Sequence, residues 1–171
     1  TIISGYDYYM PVFKPAAAGF LSALAVANLS TAGSAAATVT VYNQSGTAQW
    51  TDDWTIPARG QKSDVIGSGV TSNGWVKVSS NLPMAGLNFL FENTWTASGH
   101  YLADVPFTQV LLDYMVIPHV AQWDNCDTTV YIANPGSSAA TVTLTYTNKT
   151  GTASAPHVIT IPAMGSAEVS V

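Results

Sequence analysis

The sequence predicts an all-β chain of two related antiparallel β-sandwich repeats, the second incomplete, and three observations carry that prediction. Short segments alternate Thr with Val, Leu or Tyr, the period of a strand with one wet face. Those segments end in Asn-, Gly- and Pro-bearing turns. The same motifs then occur twice in the same order, 103–106 residues apart.

The recurrence organises the whole chain. Tyr9-Met10 returns as Tyr114-Met115, and Ala27-Asn28 as Ala133-Asn134. Ala37-Thr38-Val39-Thr40-Val41 returns as Ala140-Thr141-Val142-Thr143-Leu144. Gly46 matches Gly151, and Ile56-Pro57-Ala58-x-Gly60 matches Ile161-Pro162-Ala163-x-Gly165. One match would be chance, whereas five in order are not. The boundaries that follow are a first repeat over residues 1–92, an apolar connecting segment over 93–112 that packs on the repeats, and a second, shorter repeat over 113–171.

The recurrence also settles a local ambiguity. Residues 16–28, rich in Ala and Leu, read as helix by propensity alone. Their counterpart, residues 128–134, is β-branched and aromatic, with Val130 and Ile132 on one face. Related segments should fold alike, so Leu24 and Val26 are assigned to inward strand positions. Strands follow at 38–42 and 141–146, each closed by a turn, Asn43-Gln44-Ser45-Gly46 or Asn148-Lys149-Thr150-Gly151. Asn bonds its own backbone and Gly supplies positive φ, which is why those residues make tight connections. The first repeat adds strands at 75–80 and 87–92, giving about seven, the count of an immunoglobulin-like sandwich.

The second repeat has no equivalent of that last hairpin, and a half-finished sheet leaves an open edge. Residues 101–112, with Val105, Phe107, Val110, Leu111 and Leu112, are too apolar for a plain linker. The expectation is that this segment or residues 1–9 covers the second repeat. Failing both, strand pairing between chains would make a homodimer.

Taken together, the order of Ala133 to Gly136, Ala140 to Leu144, Ile161 to Gly165, Gly74 to Ser79 and Pro83 to Gly86 resembles Ig-like repeat segments of secreted or cell-surface bacterial proteins. The resemblance covers most of both repeats and rests on turn and core signatures. It implies fold and export, and segments of this kind serve as modules without an assigned activity.

Bulk composition narrows the function classes. The chain has 171 residues, enough to fold without staples, and is 47% hydrophobic but only 9% charged. Its solubility must come from uncharged Thr, Ser, Asn and Gln, a balance that suits an extracellular, cell-surface or periplasmic location. Opening on Thr1 rather than Met suits a form from which an export signal has been removed. The net charge of −5 and the absence of a basic run argue against nucleic acid and anionic membranes. No apolar run reaches the ~18 residues of a spanning helix, so membrane insertion is not expected. Cys126 is the single cysteine and is read as a small buried hydrophobe.

The search for chemistry returns weak candidates. His100, His119 and His157 show no metal-ligand spacing, and Gly67-Ser68-Gly69 lacks the nucleophile-elbow pattern. Asp124, Asn125 and Asp127 flank Cys126 and offer oxygen ligands of the kind calcium takes. Adjacent side chains cannot all meet one ion, so the reading is of a turn, with no metal and no cofactor. The aromatics are the better lead. Trp50 and Trp54, around Asp52-Asp53, and Trp95 and Trp123, in expected loops, are candidates for a flat platform beneath a sugar ring. The alternative is burial, since aromatics carry large burial energy, and Trp75 and Tyr146 are assigned to the core on that ground.

Three functions stand open on the sequence. The first is a non-catalytic extracellular structural or adhesive module, with a protein or glycan partner at the cell surface. The second is a carbohydrate-binding module using the four tryptophans. The third is an enzyme whose triad comes together only in the fold.

Overall fold

A computed structural model describes residues 5–92, 102–118, 120, 122–123 and 126–170. The chain is all-β, and every strand pairing among the described residues is antiparallel.

The first half supplies seven strands: β1 (Tyr6–Phe13), β2 (Phe20–Asn28), β3 (Ala35–Asn43), β4 (Ala48–Ile56), β5 (Gln61–Val65), β6 (Gly74–Ser80) and β7 (Met84–Glu92). One sheet runs β1-β6-β3-β4. The other runs β5-β2-β7 and takes its fourth strand from β8 (Leu102–Pro106), which pairs with β7. Helical propensity in the Ala-rich stretch is spent on a single 3₁₀ turn, Ala16–Ala18, and from Phe20 onward tertiary pairing overrides it. Leu24 and Val26 point inward as expected and are fully buried.

Period-2 alternation builds the core. Tyr8 and Met10 from β1, Val39 and Val41 from β3, and Val76 and Val78 from β6 meet Leu24 and Val26 of the opposite sheet in one apolar cluster. Val105 of β8 and Phe107 just after it pack against the cluster, and the Phe107 and Tyr8 ring centres lie 5.2 Å apart. The apolar segment 101–112 therefore covers the first half with its front end, while Val110, Leu111 and Leu112 stay exposed.

The second half contains β9 (Gln122–Trp123), β10 (Cys126–Asp127), β11 (Thr129–Ala133), β12 (Ala140–Leu144), β13 (His157–Ile161) and β14 (Ser166–Ser170). They form three two-stranded ladders, β9-β10, β11-β14 and β12-β13. β11 pairs β14 as β2 pairs β5, and β12 pairs β13 as β3 pairs β4.

Register corrects one detail of the sequence alignment. Ala140 pairs with Ile161 as Ala35 pairs with Ile56, so Ala140 takes the place of Ala35 rather than Ala37. The Ala-Thr-Val-Thr motif has slid by two residues. A slip of two preserves the face of every side chain, which is why the pattern alone does not detect it.

The halves are joined through the turn at 162–165 and through Lys14. Trp75 donates its indole N–H to the Met164 carbonyl at 2.7 Å, and the Ser166 N–H reaches the Gln44 carbonyl at 3.2 Å. β1 runs alongside β11 without a ladder between them. Lys14, which directly follows β1, pairs with Glu168 at 2.7 Å and sits 5.2 Å from the Tyr131 ring centre.

Candidate functional site

Of the four candidate tryptophans, two lie where their surroundings are defined. β4 alternates so that Trp50, Asp52, Trp54 and Ile56 share one parity. Ile56 is fully buried, and that parity is the inward one. Trp54 is accordingly only 2% exposed within the core cluster, its indole N–H donating to Asp52 at 2.7 Å and the Lys62 ammonium 4.4 Å from its ring centre. It cannot offer a face to a sugar, which corrects the platform expectation there. Trp50 is partly buried and packs against the same cluster. The signal that finds both was the two-residue spacing to Ile56. Trp95 lies outside the described residues, as do Asp124, Asn125, His100 and His119. Trp123 and Asp127 fall in β9 and β10, where only the backbone pairing is described.

Trp75 is fully buried, as the core reading expects, though outside the cluster built by Tyr8, Met10, Leu24 and Val39. Val76 and Val78 take the inward positions of β6, so Trp75 lies on the outer face. There it stacks on Tyr42 at 4.9 Å, has Tyr9 at 6.2 Å, and is capped by the turn carrying Met164. Tyr146, also assigned to the core, is only half-buried.

Many of the buried or partly buried polar groups hold backbone. Asn28 is the clearest case: its side-chain N–H groups reach the carbonyls of Gly33, Ile56 and Pro57 at 2.8, 3.1 and 3.0 Å. Asn134 does the same with Ser138, Ile161 and Pro162 at 2.8, 3.2 and 2.9 Å. Their backbone N–H groups donate to Gly60 and Gly165 in turn. The two Pro-Ala-x-Gly turns carry non-glycine residues at positive φ in the same place, Arg59 at 54° and Met164 at 55°. The Tyr8 hydroxyl accepts the Met84 N–H at 2.7 Å, and Asn88 donates to the Val12 carbonyl at 3.0 Å.

Three groups of β1 are electrostatically perturbed. Burial acts to raise the Asp7 carboxyl, but the Ser79 hydroxyl at 2.6 Å and the Lys77 ammonium at 2.9 Å outweigh it and hold the group below its ordinary value. Tyr8 and Tyr9 are pushed upward, mainly by burial. Among the described residues no three His, Cys, Asp or Glu side chains converge as a metal site.

The surface feature that stands out lies elsewhere. Val110, Leu111, Leu112, Tyr114, Met115, Val116, Ile117 and Val120 are all exposed, Tyr114 at 81% and Met115 at 66%. Exposed apolar surface, where it is contiguous, marks interaction sites in proteins. In the ladders of the second half, Val130, Ile132, Val142, Leu144 and Ile159 are only half-buried.

No protein-family model matches the chain, and no curated protein does. A solved structure described as Thermotoga maritima 1070 is similar, with a TM-score of 0.50 at 10% identity, over 63% of this chain and 96% of that one. At that identity the likeness concerns the fold alone.

Proposed function

We propose that this chain is a non-catalytic structural or adhesive module of the extracellular or cell-surface space, built as two copies of one immunoglobulin-like sandwich plan. The observation that carries the reading is the pair Asn28 and Asn134. Each spends its side-chain donors on three carbonyls at matching places in its half. Two copies of one scaffold element, buried at Asn28 and half-buried at Asn134, with the polar groups engaged on backbone, fit a chain selected to hold shape. The low charge, 9% of residues, fits an exported β protein. The exposed apolar strip at 110–120 supplies the adhesive surface.

Burial of Trp54 removes one of the four residues on which the carbohydrate reading rested. The test is a screen of the intact protein against ester, peptide and glycoside substrates. The expected result is no turnover. A turnover abolished by one point substitution that leaves the melting temperature unchanged would overturn the reading.

A further inference from the structure

We infer that residues 111–118 form a processing site for an endopeptidase with an apolar primary pocket, cut at the Tyr114–Met115 bond, and that the cut chain persists as a two-chain complex. An endopeptidase needs main chain that is exposed, free of ladder bonds and able to lie extended in its cleft, gripped like an added strand. Residues 111–118 are all exposed and form no strand or bridge. The chain is held just before them and then released. Thr108 exchanges backbone bonds with Tyr9 at 2.8 and 3.2 Å, and the Val110 N–H reaches the Thr108 hydroxyl at 3.2 Å. From Leu111 to Pro118 no backbone group is hydrogen-bonded to a described residue.

Exposure alone does not make such a site. Tyr6, Val65 and Val158 are exposed as well, but each lies in a ladder. Exposed Leu29 donates its N–H to the Pro83 carbonyl at 3.0 Å. Its neighbour Ser30 is tied on both sides, its N–H to the Asn28 side chain at 2.9 Å and its carbonyl to the Arg59 N–H at 3.0 Å.

The side chains of the stretch name the enzyme class. Leu111, Leu112, Tyr114, Met115, Val116 and Ile117 are apolar, and none of the five Lys and Arg residues falls among them. Tyr114 is the most exposed of the six, and four exposed residues lie on either side of the bond that follows it. In the cut, water adds to the Tyr114 carbonyl carbon and the bond to the Met115 nitrogen breaks. Tyr114 is left with a carboxylate and Met115 with an amine.

The two pieces stay together because their contacts lie away from the cut. Trp75 holds the Met164 carbonyl, Ser166 bonds Gln44, and Lys14 pairs with Glu168. The turns at 43–46 and 162–165 approach so closely that a Cβ on Gly165 would lie 2.6 Å from the Gln44 oxygen. The cut therefore divides the exposed strip at 110–120 and leaves the ladders of both halves whole.

The probe is α-chymotrypsin, added at low ratio to the whole folded chain, with products read by mass spectrometry and native size-exclusion chromatography. The first cut should fall after Tyr114, and the nicked protein should elute with the intact chain, separating into two pieces only in denaturant. Cleavage of the native state is independent of global unfolding. Ile56→Val, which raises the unfolded population about fivefold, should thus leave the rate unchanged. Replacing the exposed Leu111, Leu112, Tyr114 and Met115 by Ser should slow the cut at least tenfold at an unchanged melting temperature. A first cut at any other bond, a rate that rises with Ile56→Val, or pieces that part without denaturant would each overturn the inference.

Discussion

The two halves of this molecule spend nearly the same turn and strand vocabulary on different degrees of closure. In residues 5–92 the inward positions of β2, β3 and β4 are sealed: Leu24, Val26, Ala37, Val39, Trp54 and Ile56 are buried. At the corresponding places in the second half, Val130, Ile132, Val142, Leu144 and Ile159 remain half-covered, and only Ile161 is fully buried. The difference does not lie in the hairpins, whose registers agree. It lies in what is laid over them. β1, β6, β7 and β8 close the first half, whereas residues 111–118 stand exposed and form no strand. Local sequence thus sets turns and strand faces, and burial depends on the strands that arrive from elsewhere.

Equivalent substitutions in the two halves should break or sharpen this comparison. The largest contrast is expected in the core. Trp54→Ala should cost about 3–5 kcal/mol, the range for emptying a packed aromatic site, while Ile159→Ala, already half-wet, should cost under about 1.5 kcal/mol. Urea unfolding of both variants measures the gap, and equal losses would mean the second half is sealed after all.

Next come the asparagines. Asn28→Ala strands three carbonyls in a buried setting and should cost about 2–4 kcal/mol, because unpaired buried groups lose their full desolvation. Asn134→Ala, where water reaches the same carbonyls, should cost about 1 kcal/mol. Thermal melts of the pair decide it.

The turn glycines give a third comparison. Gly46 and Gly151 sit at φ 89° and 85° in the same Asn-x-x-Gly turn, so both resist a side chain. Only Gly46 is crowded, since a Cβ there would overlap the Ala163 carbonyl oxygen across the junction, whereas nothing lies near Gly151. Gly151→Ala should cost about 1 kcal/mol from backbone strain alone. Gly46→Ala should cost more and should also loosen the 162–165 turn, visible as faster exchange at the Ser166 amide.

How much of this was legible in the sequence differs by element. Strand faces were readable wherever Thr alternated with an aliphatic residue, and Leu24 and Val26 were placed by their counterparts Val130 and Ile132. The paired turns were readable because Asn and Gly carry their own backbone chemistry. Trp54 was misread because Asp52 and Asp53 occupy both parities of β4, and only the spacing to Ile56 tells which side is in. Trp75 on an outer face, and β8 adding to the β5-β2-β7 sheet, were not readable at all. Both depend on contacts between distant segments, which no local pattern encodes. That β12 pairs only with β13 among the described residues, and which of its residues serve that ladder, came only with the register.

The smallest expected effect is on pH dependence, and it comes from three groups of β1 in the first half. Tyr8 and Tyr9 have folded-state values above their unfolded ones, so their protonated forms are favoured in the fold. That contribution is fully present below about pH 10 and is lost as pH rises through the raised values. Asp7 acts in the opposite sense: its lowered value contributes stability above about pH 4, lost as pH falls through the folded value. Asp7→Asn should therefore flatten the acid limb of a stability–pH curve and, because the Asp7 charge helps to raise Tyr9, trim part of the alkaline limb, whereas Tyr8→Phe should act on the alkaline limb.

Residue-resolved hydrogen exchange on the unliganded chain tests the central claim most directly. Thr38 and Thr143 hold the same position in their halves, and each directs its N–H away from its hairpin partner, Thr38 into the ladder with β6 and Thr143 into an edge with no strand partner among the described residues. The account predicts that Thr38 exchanges only through global opening, while Thr143 exchanges at least a hundredfold faster through its open edge. Equal protection at the two sites would contradict it, since the second half would then already be closed.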